Sequence, residues 1–164
     1  METVTLGSSN VQITPIIMGT WQAGKAMWVG IEDAESTKAI RAAFDAGINT
    51  FDTAELYGRG HSERILGEAL ASVRDQVIYA SKVSPDHLGY DQVMEACHRS
   101  LKNLRTDVID LYQIHWPSGS FGGKVVPIEE TMRAMNDLKI VRFANAGQLR
   151  KQTSLGKKHW VCSP

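Results

Sequence analysis

Short apolar runs alternate with helix-like segments along most of the chain. Within the helix-like segments, apolar residues recur every three or four positions, as they do on one face of a helix. The first apolar run is of the kind that forms a strand buried on both faces. The four runs that we predict to be strands are Ile16–Trp21, Ile48–Asp52, Val77–Lys82 and Val108–His115.

Residues at the ends of the helix-like segments indicate where four helices lie. Asp33 and Ser62 are suitable N-caps for the first two helices, and Gly47 follows the first where a left-handed cap is common. The third helix is predicted over residues 91–104 and the fourth from residue 127. Strand and helix therefore alternate four times.

The order of these elements predicts an α/β fold with a parallel sheet and right-handed crossovers. An open dinucleotide-binding sheet normally has Gly-x-Gly-x-x-Gly after its first strand, and Gly19–Gly24 lacks that spacing. A (β/α)8 TIM-barrel type is therefore favoured. Because a complete barrel takes about 250 residues, we expect these 164 residues to hold a truncated barrel. It would comprise about four βα units after an N-terminal β-hairpin over Val4–Ile13.

Composition limits the classes of function. The 18 basic and 18 acidic side chains cancel, so no overall charge attracts the chain to nucleic acid or to an anionic membrane. No apolar run approaches the roughly 20 residues of a membrane-spanning helix. The two cysteines, and an N-terminus without a basic region or an apolar stretch, predict a cytoplasmic protein. We therefore expect neither nucleic acid nor a membrane as a partner.

The charges are unevenly distributed along the chain. Of the 18 basic side chains, six lie in residues 139–164 and 12 in residues 1–138, whereas all 18 acidic side chains lie in residues 1–138. Residues 139–164 also show neither a helical nor a strand period. We therefore predict a boundary after Leu138, followed by a divergent basic tail.

Four residues that can transfer or stabilise protons are predicted to meet at one edge of the sheet. Asp52, Lys82 and His115 end three of the strands, and Tyr57 lies in the loop after Asp52. Loops that follow parallel strands share one edge, so side chains far apart in sequence converge there. An ammonium stabilises a neighbouring phenolate, a carboxylate holds the ammonium, and an imidazole can bond the reacting oxygen. The other histidines and the cysteines do not form a metal set, so no metal is predicted.

These residues lie in motifs that resemble the aldo-keto reductase family. The motifs are long, and their order and spacing match those of the family, so the resemblance extends from about residue 3 to residue 138. It implies that residues 1–138 are the N-terminal half of a (β/α)8 barrel and that residues 139–164 lie outside the family sequence. The motifs are Phe51–Gly58, Gly60–Glu63, Ser81–Lys82 and Asp110–Pro117.

The resemblance also implies an activity. In this family, hydride from the cofactor NADPH reduces an aldehyde or a ketone to an alcohol. The implied substrate is therefore a small-molecule carbonyl compound, and Tyr57 is implied to be the general acid. The residues that match the family's catalytic tetrad are Asp52, Tyr57, Lys82 and His115.

The same resemblance implies which residues surround the tetrad. Thr20, Trp21 and Asp52 are expected to contact NADPH. An apolar substrate pocket is expected on the same edge of the sheet. Its implied residues are Trp21, Tyr57, His115 and Trp116.

Two alternatives to an active reductase stay open. Beyond Leu138 the family's Ser-Asn pair, which holds the nicotinamide amide, is not recognisable, as expected of a truncated and catalytically inactive product. The family also includes channel-associated, non-catalytic binding subunits, but these replace the tetrad histidine, whereas His115 is present. In each case the strands at the edges of a half barrel lack neighbours, so we expect self-association through those edges.

Overall fold

A short hairpin precedes four strands that alternate with four helices. The computed structural model describes residues 1–138, and the predicted basic tail, residues 139–164, lies outside the described residues. The hairpin pairs β1 (Val4–Thr5) with β2 (Gln12–Ile13) in antiparallel orientation. The alternating elements are, in chain order, β3 (Met18–Gly19), α1 (Asp33–Asp45), β4 (Thr50–Asp52), α2 (His61–Ala69), β5 (Ile78–Val83), α3 (Tyr90–Leu104), β6 (Leu111–Ile114) and α4 (Ile128–Asp137).

The four strands after the hairpin form one parallel sheet whose spatial order, β3-β4-β5-β6, follows the chain. Gly47 adopts the left-handed conformation predicted after α1, with φ of 89°. The predicted α/β architecture, with its hairpin, parallel sheet and helical crossovers, is confirmed. None of the helices in residues 1–138 combines the length and the apolar character that crossing a membrane requires.

Side chains alternate between the two faces of the sheet. Phe51, Tyr79 and Val83 are 0% exposed and belong to the hydrophobic core. Successive residues of a strand face opposite sides, so Asp52 and Lys82 stand on the other face. Asp52 and Lys82, which can take part in proton transfer, therefore share the face of the sheet opposite the hydrophobic core. Core side chains from the four helices include Ile40, Leu66, Leu101 and Ala134.

The first strand of this sheet differs from the prediction. The apolar run Ile16–Trp21 is predicted to be buried on both faces, but only Met18–Gly19 forms a strand. Ile16 and Ile17 are 60% and 45% exposed. Within the described residues β3 has one neighbour, β4, and therefore lies at the edge of the sheet. Ile16 and Ile17 come before this strand and lie outside its ladder, so their side chains remain exposed.

The predicted N-caps are wrong by one or two positions. The N-cap residues are Glu32 for α1 and Gly60 for α2. Asp33 and Ser62 instead lie inside the first turns of these helices. The hydroxyl of Ser62 is buried and donates to the carbonyl oxygen of Thr20 at 2.6 Å. Ser62 therefore bonds a residue in another segment. A capping serine would instead accept a hydrogen bond from a main-chain N–H of its own helix.

Candidate active site

The carboxyl ends of three neighbouring strands bring the four predicted catalytic residues together. Asp52 is the last residue of β4, Lys82 lies one residue before the end of β5, and His115 directly follows β6. Tyr57 reaches them from the loop after β4. Because these strands are parallel and adjacent, their carboxyl ends lie at the same edge of the sheet.

Lys82 lies at the centre of this group. Its Nζ donates to Oδ2 of Asp52 at 2.7 Å and to the carbonyl oxygen of Thr53 at 2.8 Å. The same Nζ is 3.5 Å from the hydroxyl of Tyr57 and 5.1 Å from the centroid of its ring. The Lys82 side chain is 15% exposed, so little solvent screens the ammonium from the carboxylate and the phenol.

His115 packs against the ring of Tyr57. Their ring centroids are 5.3 Å apart and the ring planes meet at 81°, an edge-to-face contact. Nδ1 of His115 is buried and has no hydrogen-bond partner in the part of the chain that the structure describes. Burial lowers the pKa of His115 below its ordinary value of 6.5, and the charge of Lys82 lowers it further. The lowered pKa favours the neutral imidazole.

Two tryptophans extend this group of rings. The Trp21 ring centroid lies 6.4 Å from that of Tyr57, and Trp116 stacks on His115 with centroids 6.2 Å apart and planes at 29°. The two tryptophans remain 43% and 50% exposed. They provide apolar surface beside the tetrad, as expected at a site for an apolar ligand.

Thr20 lies beneath this edge and is 3% exposed. Its N–H and its hydroxyl both donate to the carbonyl oxygen of Asp52, at 2.9 and 3.0 Å. Its hydroxyl also lies 2.7 Å from that of Ser62, which accepts a hydrogen bond from Thr53 at 3.0 Å. Thr20 and its neighbours therefore fix the main chain of Asp52.

The sequence assigns no role to Glu55, which the structure places next to the tetrad. Glu55 is 9% exposed, and its Oε1 accepts the main-chain N–H of Ser84 at 2.7 Å. A glutamate between Ala54 and Leu56 in a loop carries no sign of burial. The one signal available is its position, two residues before Tyr57.

Comparison with known proteins agrees with the fold. The model of the aldo/keto reductase family matches residues 15–150. The match extends past Leu138 into the segment outside the described residues, and the division at Leu138 stays a prediction.

Two relatives are each 40% identical to this chain over the matched residues. The aldo-keto reductase YhdN of Bacillus subtilis (strain 168) is 40% identical over 160 residues, which cover 92% of this chain and 45% of the relative. The methylglyoxal reductase YeaE of Escherichia coli (strain K12) is 40% identical over 135 residues, which cover 80% of this chain and 43% of the relative.

A solved structure has the same fold over the matched region. The aldo-keto reductase from Klebsiella pneumoniae in complex with NADPH has a TM-score of 0.72 at 34% identity, and the match covers 85% of this chain and 45% of that chain. The solved neighbours are (β/α)8 barrels, and the parallel sheet described above corresponds to part of one. The chain thus spans about half the length of the relatives it matches, and it belongs to the aldo/keto reductase family of oxidoreductases.

Proposed function

We propose that this chain carries the catalytic residues of a reductase that converts aldehydes or ketones to alcohols with NADPH. One observation carries the proposal: Nζ of Lys82 bonds Oδ2 of Asp52 at 2.7 Å and lies 3.5 Å from the Tyr57 hydroxyl. A neighbouring ammonium stabilises the phenolate that remains when a phenol gives up its proton. Tyr57 is therefore the general acid in this proposal.

Reduction of a carbonyl requires a hydride at carbon and a proton at oxygen. The hydride is what NADPH supplies when it is bound. The Tyr57 hydroxyl donates the proton to the developing alkoxide oxygen, and Lys82 stabilises the phenolate that forms. Asp52 holds the Lys82 ammonium in place through its 2.7 Å hydrogen bond. Solvent then returns a proton to Tyr57.

His115 orients the carbonyl in this scheme. A buried N–H without an acceptor costs more than a buried lone pair without a donor, so the unpartnered Nδ1 favours the tautomer with its proton on Nε2. Nε2 can then donate to the carbonyl oxygen as negative charge develops there. The lowered pKa of His115 keeps the ring neutral, so it acts as a hydrogen-bond donor and leaves the acid role to Tyr57.

Asp52 and two residues beside the tetrad fit the nicotinamide end of the cofactor. The Asp52 side chain is 31% exposed and bonds Lys82 through Oδ2, and a carboxylate has further capacity to accept from an amide NH2 group. The exposed indole of Trp21 offers an apolar face next to it. Thr20 supports this contact through the main chain of Asp52. In our proposal these three residues hold the nicotinamide.

The proposed substrate is a small carbonyl compound with an apolar or aromatic group. Supporting this are the exposed rings that border the tetrad, Trp21 on the Tyr57 side and Trp116 on the His115 side. Apolar walls with a few convergent polar groups are typical of small-molecule sites.

The test is oxidation of NADPH by the purified chain with a small aromatic aldehyde, followed by nicotinamide absorbance. We expect turnover by the wild type and a rate lower by about 10²–10⁴-fold in Tyr57→Phe. Tyr90→Phe, a change outside the site, is the matched control and should keep the wild-type rate. If no turnover occurs, this chain alone does not catalyse the reaction, as expected of an inactive product. If Tyr57→Phe turns over as fast as the wild type, Tyr57 is not the general acid.

Self-association is a further part of the proposal. In residues 1–138, β3 and β6 each pair with one strand. One edge of each strand therefore carries main-chain N–H and C=O groups that bond no neighbouring strand of this part of the chain. Gel filtration of the purified chain should therefore give a species larger than the monomer. A monomer at every concentration would contradict association through these edges.

A further inference from the structure

The carboxylate of Glu55 is buried between the loop that carries Tyr57 and the end of β5. Its Oε1 accepts the main-chain N–H of Ser84 at 2.7 Å and lies 2.9 Å from Nδ1 of His87. Its Oε2 accepts from Nη2 of Arg99 at 3.3 Å. Since the Glu55 side chain is 9% exposed, these partners take the place of water around the carboxylate.

The main chain of Glu55 makes a second link to the same part of β5. Its N–H donates to the carbonyl oxygen of Lys82 at 3.3 Å, and the N–H of His115 donates to the carbonyl oxygen of Val83 at 3.1 Å. The segment of residues 82–84, which begins with Lys82, is therefore attached both to His115 and to the loop that carries Tyr57. On the Tyr57 side, Glu55 is attached to these residues through both its main chain and its side chain.

We propose that Glu55 is a positioning residue whose carboxylate, bonded to the Ser84 N–H, sets the distance between the Tyr57 hydroxyl and the Lys82 ammonium. The inference rests on the proposed function, in which Tyr57 gives up its proton beside Lys82. Catalysis depends steeply on such distances, because a displacement of about 1 Å can cost about 100-fold in rate. A carboxylate two residues from Tyr57 and bonded to the Lys82 segment controls that displacement directly.

The partners of Glu55 contribute unequally. The His87 and Arg99 side chains are 39% and 47% exposed, so solvent weakens their contacts with Glu55. Ser84 is 3% exposed, so loss of its acceptor leaves a main-chain donor buried and unpaired. A neutral side chain that keeps the acceptor oxygen should therefore retain most of the positioning, whereas removal of that oxygen should abolish it.

Three substitutions separate these contributions. Glu55→Gln keeps an acceptor oxygen for Ser84, and Glu55→Ala removes it. Ser84→Pro removes the donor instead, and Ser84 has φ of −63°, which proline adopts. The matched control is Glu95→Ala, which removes a 73% exposed carboxylate 3.9 Å from the same Arg99.

The first readout is the NMR spectrum of the full chain, which requires no turnover. The ring signals of Tyr57 are identified by their loss in Tyr57→Phe. They should shift in Glu55→Ala and in Ser84→Pro, and should stay at the wild-type positions in Glu55→Gln and Glu95→Ala. The ring signals of Tyr79, in the core, should stay in place in all of these variants and so report an intact fold.

The second readout is the reductase assay. Glu55→Ala should lower kcat by about 10–100-fold while the KM for the aldehyde changes by less than about threefold, because the variant alters geometry at the reacting proton and leaves the pocket intact. Glu55→Gln should recover most of kcat. If Glu55 acted through stability alone, we would expect neither a loss confined to kcat nor a recovery of kcat in Glu55→Gln.

The two readouts separate the inference from the function on which it rests. If the wild type does not oxidise NADPH, the proposed function is refuted, and the Tyr57 signals decide the positioning role. Unchanged Tyr57 signals in folded Glu55→Ala overturn the inference, as do equal losses of kcat in Glu55→Gln and Glu55→Ala. If Glu55→Ala does not fold, Ser84→Pro provides the same comparison.

Discussion

Gly24 and Gly58 pack backbone against backbone beside the tetrad. A β-carbon on Gly58 would stand 2.1 Å from the carbonyl oxygen of Gly24, and one on Gly24 would stand 2.6 Å from the carbonyl carbon of Tyr57. Gly58 also has φ of 61°, which other residues adopt at a cost. The 3₁₀ helix Trp21–Gly24 can approach the Tyr57 loop because neither glycine has a side chain.

Gly58→Ala should lower the free energy of unfolding by about 2–4 kcal/mol, since overpacking costs about 1–3 kcal/mol and a positive φ about 1 kcal/mol more. Gly7→Ala is the matched control, because Gly7 has φ of 56° and no atom within 4 Å of an added β-carbon. It should lose only the φ contribution, about 1 kcal/mol. Urea unfolding measures both losses, and equal losses would contradict tight packing at Gly58.

Lys82→Met should lower the rate of aldehyde reduction by about 10²–10⁴-fold, because the phenolate of Tyr57 loses its ammonium. The variant also leaves the Asp52 carboxylate without its 2.7 Å partner. Single-turnover oxidation of NADPH measures the rate. Lys38→Met, which changes an exposed lysine of α1, should match the wild type. A Lys82→Met rate within a few-fold of the wild type would exclude this role of the ammonium.

The protein should become less stable as the pH falls, because His115 titrates. Burial and then the Lys82 charge lower its folded pKa below the ordinary 6.5, so the unfolded chain takes up the proton first. Its contribution to stability is therefore present above about pH 6.5 and is lost as the pH falls through the folded pKa. Urea midpoints at several pH values should fall less steeply in His115→Gln than in the wild type. Parallel slopes would contradict this account.

Glu63 should have the opposite pH dependence. It is 0% exposed, its oxygens accept from Ser81 at 2.7 Å and from Asn103 at 3.0 Å, and burial raises its pKa above the ordinary 4.5. Its contribution to stability is therefore complete below about pH 4.5 and is lost as the pH rises through the folded pKa. The glutamine in Glu63→Gln cannot become charged. The urea midpoint of this variant should therefore rise relative to that of the wild type as the pH rises.

The control for this prediction is Glu35→Gln, which changes an exposed glutamate in the first turn of α1. Glu63 occupies the corresponding turn of α2 but is buried. Because the Glu35 carboxylate is exposed, the control should show no gain in midpoint over the wild type as the pH rises. A pH-independent difference for Glu63→Gln would exclude burial as the cause.

The positions of the tetrad residues could be predicted from sequence because they depend on local patterns. Asp52, Lys82 and His115 each follow a short apolar run, and strands separated by single helices pair in chain order. The chain therefore specifies which ends become neighbours. The distances between their atoms were not predictable, since they depend on contacts such as that between Gly24 and Gly58.

Roles that depend on a distant partner could not be predicted. Ser62 has the sequence features of a helix cap, but its hydroxyl donates to Thr20, 42 positions earlier. Glu55 has the features of an exposed loop residue, but its carboxylate bonds the N–H of Ser84, 29 positions later. Neither partner is visible in the local pattern, because the helix and strand between them must first pack.

The chain order of the sheet has a consequence for folding kinetics. Each strand of the ladder pairs with the strand before it, and Asp52 and Lys82 are 30 positions apart. The entropy cost of closing a loop grows slowly with its length, and chains with more local contacts fold faster. We expect residues 52–115 to form this edge of the sheet as one cooperative unit.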